Sequence, residues 1–422
     1  MTRDPAPPPR VLYAAYRHDP DDPDRASGAD HRFANALRAA GFDVVVSGPL
    51  TGRAWVGERL VRRVHRRLGL RHYTKFPLSL ARRASRQTRA ALAQHRPDAV
   101  FTMFPPTVAY ADLGDVPLIY RLDTCFRGWH AQRPTFSALG LALAVAVERR
   151  CFARATRVIT HSDWTRDWLV RPAGRRASDG YGLDPARIDV LPNPSGLPED
   201  IVPDAADLAR DALRDAPSAR GPRLLFVGSD PARKALDVAV ATLAALRARG
   251  SVDARLTVCG LAVDDARAAL RATGLSPDLW REGGPVALVG RFRKVVPAER
   301  ARYAAHYRAA DLLLHPAHFD PSPIVVSEAA AFGVPTVGRR VGGMATSVRD
   351  GETGVLVPID AAADVFADAI LDLWHRPAAR AAMRQAARTR YERSLTWTTA
   401  GPRVADVVRT AIDDARCATL RA

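Results

Sequence analysis

Short apolar runs alternate with longer segments of helical period along the whole chain, the pattern of an α/β protein with parallel strands. A first strand is predicted at 10–16, then a loop and helix over 27–41 that stops at Gly41, then a strand at 42–46. Further strands are predicted at 98–103, 117–122 and 158–160. Residues 196–222 are rich in Pro, Asp and Ala and read as a linker with a short helix inside it. Beyond it comes a buried strand at 223–227, a loop at 228–232 and a helix, followed by strands near 255–259, 286–289 and 311–314. A helical pattern at 324–332 stops at Gly333, and from 361 onward the chain is helical, with a break expected at Gly401 and Pro402. A chain of 422 residues exceeds what one hydrophobic core organises, so two domains are expected.

Composition narrows the class. Hydrophobic residues make up 47% of the chain, enough for two cores, while the longest weakly polar run, 136–147, is shorter than the roughly 20 residues a membrane-spanning helix needs. The apolar run near the amino end is too brief for a signal peptide. Cys125, Cys151, Cys259 and Cys417 match neither a metal spacing nor a disulfide framework, so a reducing cytoplasm is the expected location. The net charge is +17, and from 53 to 89 twelve Arg or Lys face the single acid Glu58. Within that segment Trp55, Val61, Val64 and Leu68 recur near helical spacing among Arg59, Arg62, Arg63, Arg66 and Arg67. An amphipathic basic helix suits an anionic membrane surface, a polyanion such as nucleic acid, or simply a solvated face.

The stretch 311–358 concentrates the candidate chemistry. An apolar run, Leu312 to Leu314, leads into a loop with Pro316, Pro321 and Pro323 and then into the helix that starts at Ile324. Asp320 lies in the loop and Glu328 about one turn into the helix, so both carboxylates can face the space beyond the strand's carboxyl end. Open parallel sheets bind ligands there, and a helix start offers amides to phosphate while carboxylates accept from hydroxyls.

At these residues the chain resembles the family-four retaining glycosyltransferases of GT-B fold, whose signature is an acid, seven intervening residues and a glutamate. The resemblance implies two Rossmann-like parallel-sheet domains facing a central cleft, 1–200 and 201–394, with a final helix at about 395–422 crossing back to the first. It also implies that Glu328 holds the ribose of a nucleotide and that Asp320 contacts hydroxyls of the transferred sugar. Asp320 stands where glutamate is commoner, and Pro321 and Pro323 stand where glycines often do. The amides of Ser322, Ile324 and Val325 are left to cradle donor oxygens around Pro323. Gly342 and Gly343, with the turn at Asp350 and Gly351, match the family's next strand and loop.

Further upstream, GSDPARK matches the family's diphosphate-binding turn after Gly228, with Arg233 and Lys234 as its cations and Ser229 where many members have arginine. The chain contains only three lysines, Lys75, Lys234 and Lys294, so one at this position is informative. Gly290 and Arg291 match the loop whose backbone meets the base, with Lys294 close by. In the first domain the resemblance assigns Gly28, His31 and Arg32 to the acceptor side and Asp123 to the space between acceptor and donor sugar. It also covers 148–193, with Ser162 as a helix cap, His161 as a strand-end residue and Asn193 and Pro194 opening the connection.

The implied activity is transfer of a sugar from a GDP- or UDP-linked donor to an acceptor hydroxyl, on a glycan or lipid-linked glycan, with retention and without metal or other cofactor. No specific nucleic acid is expected as a partner, and the location is cytoplasmic or peripheral on the inner face of the plasma membrane. Two alternatives share parts of the pattern: a sugar-nucleotide epimerase or hydrolase of the same fold, and a non-enzymatic polyanion-binding protein.

Overall fold

The computed structural model describes residues 7–16, 18–23, 28–50, 60, 63–64, 67–68, 78–174, 176, 178–204, 206–208 and 220–419. They form two compact units, Met1–Leu191 with Trp397–Ala422, and Pro192–Thr396. Each is built on a six-stranded parallel sheet.

In the first unit β1 (Arg10–Ala14), β2 (Asp43–Ser47), β3 (Ala99–Thr102), β4 (Leu118–Leu122), β5 (Ala155–Thr160) and β6 (Ile188–Val190) lie in the order β2-β1-β3-β4-β5-β6. In the second, β7 (Arg223–Val227), β8 (Arg255–Cys259), β9 (Val286–Gly290), β10 (Leu312–His315), β11 (Thr336–Arg339) and β12 (Gly354–Val357) lie in the order β12-β11-β10-β7-β8-β9. Both sheets are covered on both faces, which is why their strands read as continuous apolar runs. In β7, Leu224 and Phe226 enter one core while Leu225 and Val227 enter the other. β1 divides likewise, with Leu12 and Ala14 on one side and Val11 and Tyr13 on the other.

This arrangement makes β7 and β10 neighbours, and the strand order reverses between them, so their two following loops open the crevice of the second sheet. Lys234 follows β7 and Asp320 follows β10. The corresponding reversal in the first sheet lies between β1 and β3.

Three expectations are corrected. The expected break at Gly401 and Pro402 is absent, because one helix runs from Trp397 to Thr419 with Pro402 inside it. The proline removes one amide donor, but the helix buries Val404, Val408, Ala411 and Ile412 against Phe33 and Leu37 of the Ala29–Ala39 helix. The Trp397 ring meets Phe33 edge-on at 5.1 Å, and a Cβ added to Gly401 would make an ordinary contact with Ala36 Cβ at 3.5 Å. The units divide at Leu191 and Pro192 rather than at residue 200. The expected linker at 196–222 falls inside the second unit and not between the two, since Leu197 is fully buried in the second core and the Ser195 amide donates to Leu395 O at 2.8 Å. Most of the short helix expected inside 196–222 lies outside the described residues.

Among the described residues no helix is long and apolar enough to cross a membrane. Arg59, Arg62 and Arg66 lie outside the described residues. Leu60, Val64 and Leu68, four residues apart, are 59%, 44% and 66% exposed, with Arg63 and Arg67 exposed beside them.

Candidate functional site

β7 ends in Gly228, whose amide donates to Cys259 O at 3.0 Å. A side chain here would displace the Lys234 stem, because an added Cβ would lie 2.7 Å from Lys234 Cγ. Asp230 then caps the single turn Pro231–Lys234, its carboxylate accepting the Arg233 amide at 3.0 Å. That turn folds the Lys234 stem back under Gly228 and buries it.

The Lys234 ammonium pairs with Asp320 Oδ2, and His315 at the end of β10 places Nε2 2.9 Å from the same oxygen. Arg233 donates to Phe319 O at 3.2 Å, fixing the loop from the other side. The Gly-Gly loop closes on it too: the Gly343 amide donates to Asp320 O at 2.9 Å, and Gly342, at φ +51, passes so close that an added Cβ would lie 2.3 Å from that oxygen. Burial alone would raise the Asp320 carboxyl, but the Lys234 ammonium, then His315 and Arg233, outweigh it and hold Asp320 well below the usual carboxylate range. His315 is driven below its ordinary value, chiefly by burial and then by Lys234, and is neutral.

Glu328, on the helix Ile324–Ala331, is 0% exposed. Its Oε2 accepts from the Tyr303 and Tyr307 hydroxyls at 2.7 Å each, and its Oε1 pairs with Lys294, which also sits 4.8 Å from the Tyr303 ring centre. Burial would raise this carboxyl as well, but Lys294 and the two hydroxyls hold it ionised. The connecting segment lies over the same helix start: Ser327 Oγ donates to Asn193 O at 2.6 Å, Asn193 reaches Ser322, and Gly196 approaches Glu328 so closely that an added Cβ would lie 2.3 Å from Oε1.

The first unit has its own polar cluster at the carboxyl ends of β1, β4 and β5. Arg121 is buried in β4 beneath the Phe33 ring, 4.7 Å from its centre; it donates to His161 Nε2 at 2.5 Å and to Asp123 Oδ1 at 2.9 Å. His161 Nδ1–H donates to Leu191 O, also at 2.5 Å. Burial and then Arg121 push its pKa down to about 3, so it stays neutral and serves as structure. Asp30 accepts from the Tyr13 hydroxyl at 2.8 Å and is raised by burial.

Comparison with known proteins gives the chemistry a family. The family model described as Glycosyltransferase Family 4 matches residues 31–194, and that for Glycosyl transferases group 1 matches 221–376. A D-inositol 3-phosphate glycosyltransferase of Kineococcus radiotolerans is 32% identical over 313 residues, spanning 72% of this chain and 68% of the relative. The chain belongs to glycosyltransferase family four. Its fold is that of GT-B glycosyltransferases, similar to a sucrose-phosphate synthase from Thermosynechococcus elongatus (TM-score 0.66, 18% identity, 96% of this chain and 100% of that one). It is likewise similar to Anabaena HepE in complex with UDP-glucose (TM-score 0.62, 16% identity, 95% of this chain and 99% of that one).

Within this glycosyltransferase, the structure brings Gly228, Arg233, Lys234 and Asp320 together, and it brings Lys294 to Glu328. Ser322, Pro323, Ile324 and Val325 form the start of the Glu328 helix, Pro323 standing at its cap without a donor of its own. Gly290 ends β9 at φ +85, and the exposed Arg291 guanidinium lies 3.4 Å from the exposed Asp265. His31 Nδ1 is 3.1 Å from Pro20 O and its Nε2 accepts from Asn35 at 2.9 Å. Gly28 caps the same helix in the left-handed region at φ +72, with Arg32 folded against it. Asp123 is 49% exposed and oriented by Arg121.

Sequence reasoning missed Tyr303, Tyr307, His315, Arg121 and Asp30. Three of these carry a signal: Tyr303 and Tyr307, four apart on one helix, share a face, and Arg121 lies in β4 two residues before Asp123, which follows the strand's end.

Glu148 also escaped, although it opens the matched stretch. It is buried, accepts the Phe126 amide at 3.1 Å and the Tyr181 hydroxyl, and is pushed up to about 8 by burial. Between the ordinary carboxylate range and pH 8 the folded chain therefore keeps a proton that the unfolded chain releases, so the stability tied to Glu148 falls as pH rises through that window. Thermal melts from pH 5 to 8.5 are expected to show the wild type losing on the order of 3–5 kcal/mol relative to Glu148→Gln, whose amide stays neutral. Parallel pH profiles for the two proteins would count against a protonated Glu148.

Proposed function

We propose that this glycosyltransferase takes a sugar from a nucleoside diphosphate, UDP or GDP, and transfers it to an acceptor hydroxyl with retention at the anomeric carbon. Departure of the diphosphate builds negative charge on its oxygens and positive character on the sugar ring. Lys234 and Arg233 supply the fixed positive charge that lowers this barrier, and electrostatic preorganisation of this kind is usually the largest catalytic contribution. Asp320 takes sugar hydroxyls, Glu328 takes the ribose, and the leaving diphosphate accepts the acceptor's proton, so no further base and no cofactor is needed. The observation that carries the reading is the buried Lys234, Asp320 and His315 group beside Gly228, at the strand reversal of the second sheet.

On the acceptor side Asp123 orients the incoming hydroxyl, and Gly28 and Arg32 are the further acceptor candidates. The named relatives act on D-inositol 3-phosphate, and one neighbour is named as a UDP-glucose complex. The exposed Leu60, Val64 and Leu68 among arginines favour a lipid-linked glycan, met at the anionic inner face of a membrane. Mass spectrometry after incubation with UDP- and GDP-sugars and a lipid-linked glycan is expected to show acceptor gaining one sugar. Free or epimerised sugar alone would favour the epimerase or hydrolase reading, and an untouched donor with tight, salt-sensitive polyanion binding would favour the non-enzymatic one.

A further inference from the structure

Two of the three lysines in the chain, against 59 arginines, are paired with the two acids of the motif, Lys234 with Asp320 and Lys294 with Glu328. A chain that uses arginine almost everywhere has kept an ammonium at both positions. A guanidinium grips a carboxylate as a planar fork through two parallel bonds. An ammonium is a point charge with rotatable donors, and it can trade one anionic oxygen for another by a small swing of its last bonds. The Lys234 stem packs closely against Gly228, whose missing side chain makes room for it, and the exchange needs only the ammonium tip to move. Both contacts on the Asp320 carboxylate fall on Oδ2, and Oδ1 engages neither Lys234 nor His315. A hydroxyl reaching Asp320 in this state meets a carboxylate whose charge is already compensated.

We propose that Lys234 is an exchange cation. It neutralises Asp320 in the empty site and carries its ammonium to the diphosphate when a donor enters, leaving Asp320, still held by His315, as an uncompensated acceptor for sugar hydroxyls. No covalent bond changes. The proposal rests on the donor reading above and adds an order of recognition to it: the site reads the diphosphate first and the sugar second, so neutral sugars and unphosphorylated nucleosides gain little from Asp320. By linkage, removing the Asp320 charge releases Lys234 and tightens diphosphate binding.

Inorganic pyrophosphate tests this without knowledge of base or sugar. In calorimetric titrations Asp320→Asn is expected to bind pyrophosphate about tenfold more tightly than wild type, and the gain is expected to vanish when Lys234→Met is present in both proteins. An equal gain in the two backgrounds would mean that Asp320 only repels the anion through space, and that result, or no gain at all, overturns the exchange. Asp320→Asn disturbs a buried pair and can fail to fold, so wild-type protein labelled at lysine Cε provides a second measurement. With three lysines its carbon spectrum is assigned by single substitutions, and the Lys234 signal is expected to move as pyrophosphate saturates. A Lys234 signal that stays fixed while pyrophosphate binds overturns the exchange and leaves the donor site standing. Failure of pyrophosphate to bind wild type at all removes the donor reading itself, and the exchange with it.

Discussion

Lys234→Ala is expected to lower turnover by about two to three orders of magnitude, the range for removal of a charge-stabilising donor from a preorganised site. The pairing with buried Asp320 adds a second consequence that the sequence did not suggest. Without its ammonium, Asp320 is left as a buried anion with His315 and Arg233 as its remaining partners, and breaking such a pair costs about 3–5 kcal/mol. The variant should therefore melt at lower temperature as well as turn over slowly. Assays well below its melting temperature separate the two effects: a folded variant at near-wild-type turnover would contradict the role given to Lys234. Lys234→Arg keeps the charge but replaces a point charge with a planar fork, and is expected to recover little of the rate. Because Asp320 is held below its ordinary range, the stability it contributes is fully present above the usual carboxylate pKa and is lost only as acid carries it through its lowered value. Activity should show no limb from Asp320 between pH 5 and 8.

Glu328 carries the second large effect, and here the structure changes which variant is informative. Glu328→Ala removes the acceptor of two buried tyrosine hydroxyls and the partner of Lys294 at once, so its expected loss is structural before it is functional, at about 3–5 kcal/mol. Glu328→Gln keeps one oxygen for the tyrosines while losing the charge. It is expected to stay folded, with a melting temperature lower by a few degrees, and to bind nucleoside diphosphate about tenfold more weakly. Calorimetry showing wild-type nucleotide affinity in a folded Glu328→Gln protein would remove Glu328 from the ribose site. Tyr303→Phe and Tyr307→Phe should each weaken nucleotide binding less than Glu328→Gln, since each deletes one of two bonds to the same oxygen.

Much of this was legible because it is local. Strands buried on both faces leave runs such as Leu224 to Val227 and Leu312 to Leu314, and helices that start after Pro or Ser and stop at Gly leave punctuation. The Asp320 and Glu328 spacing and the rare Lys234 were visible for the same reason. What was hidden depends on where chain segments meet. That Lys234 and Asp320 pair follows from β7 and β10 lying side by side, which no window of sequence records. The partners of Arg291 and His31, Asp265 in one case and Pro20 and Asn35 in the other, were likewise hidden from residue type. The break at Pro402 was misread because local propensity was outweighed by burial of the helix on its neighbour.

The central claim is that a nucleoside diphosphate binds at Lys234, Asp320 and Glu328. Titrating UDP, GDP and ADP by calorimetry into wild type, Lys234→Met and Glu328→Gln tests it most directly. At least one of the three should bind wild type, with about tenfold or greater weakening in both folded variants. A nucleotide that binds all three proteins alike, or none that binds wild type, would contradict the account.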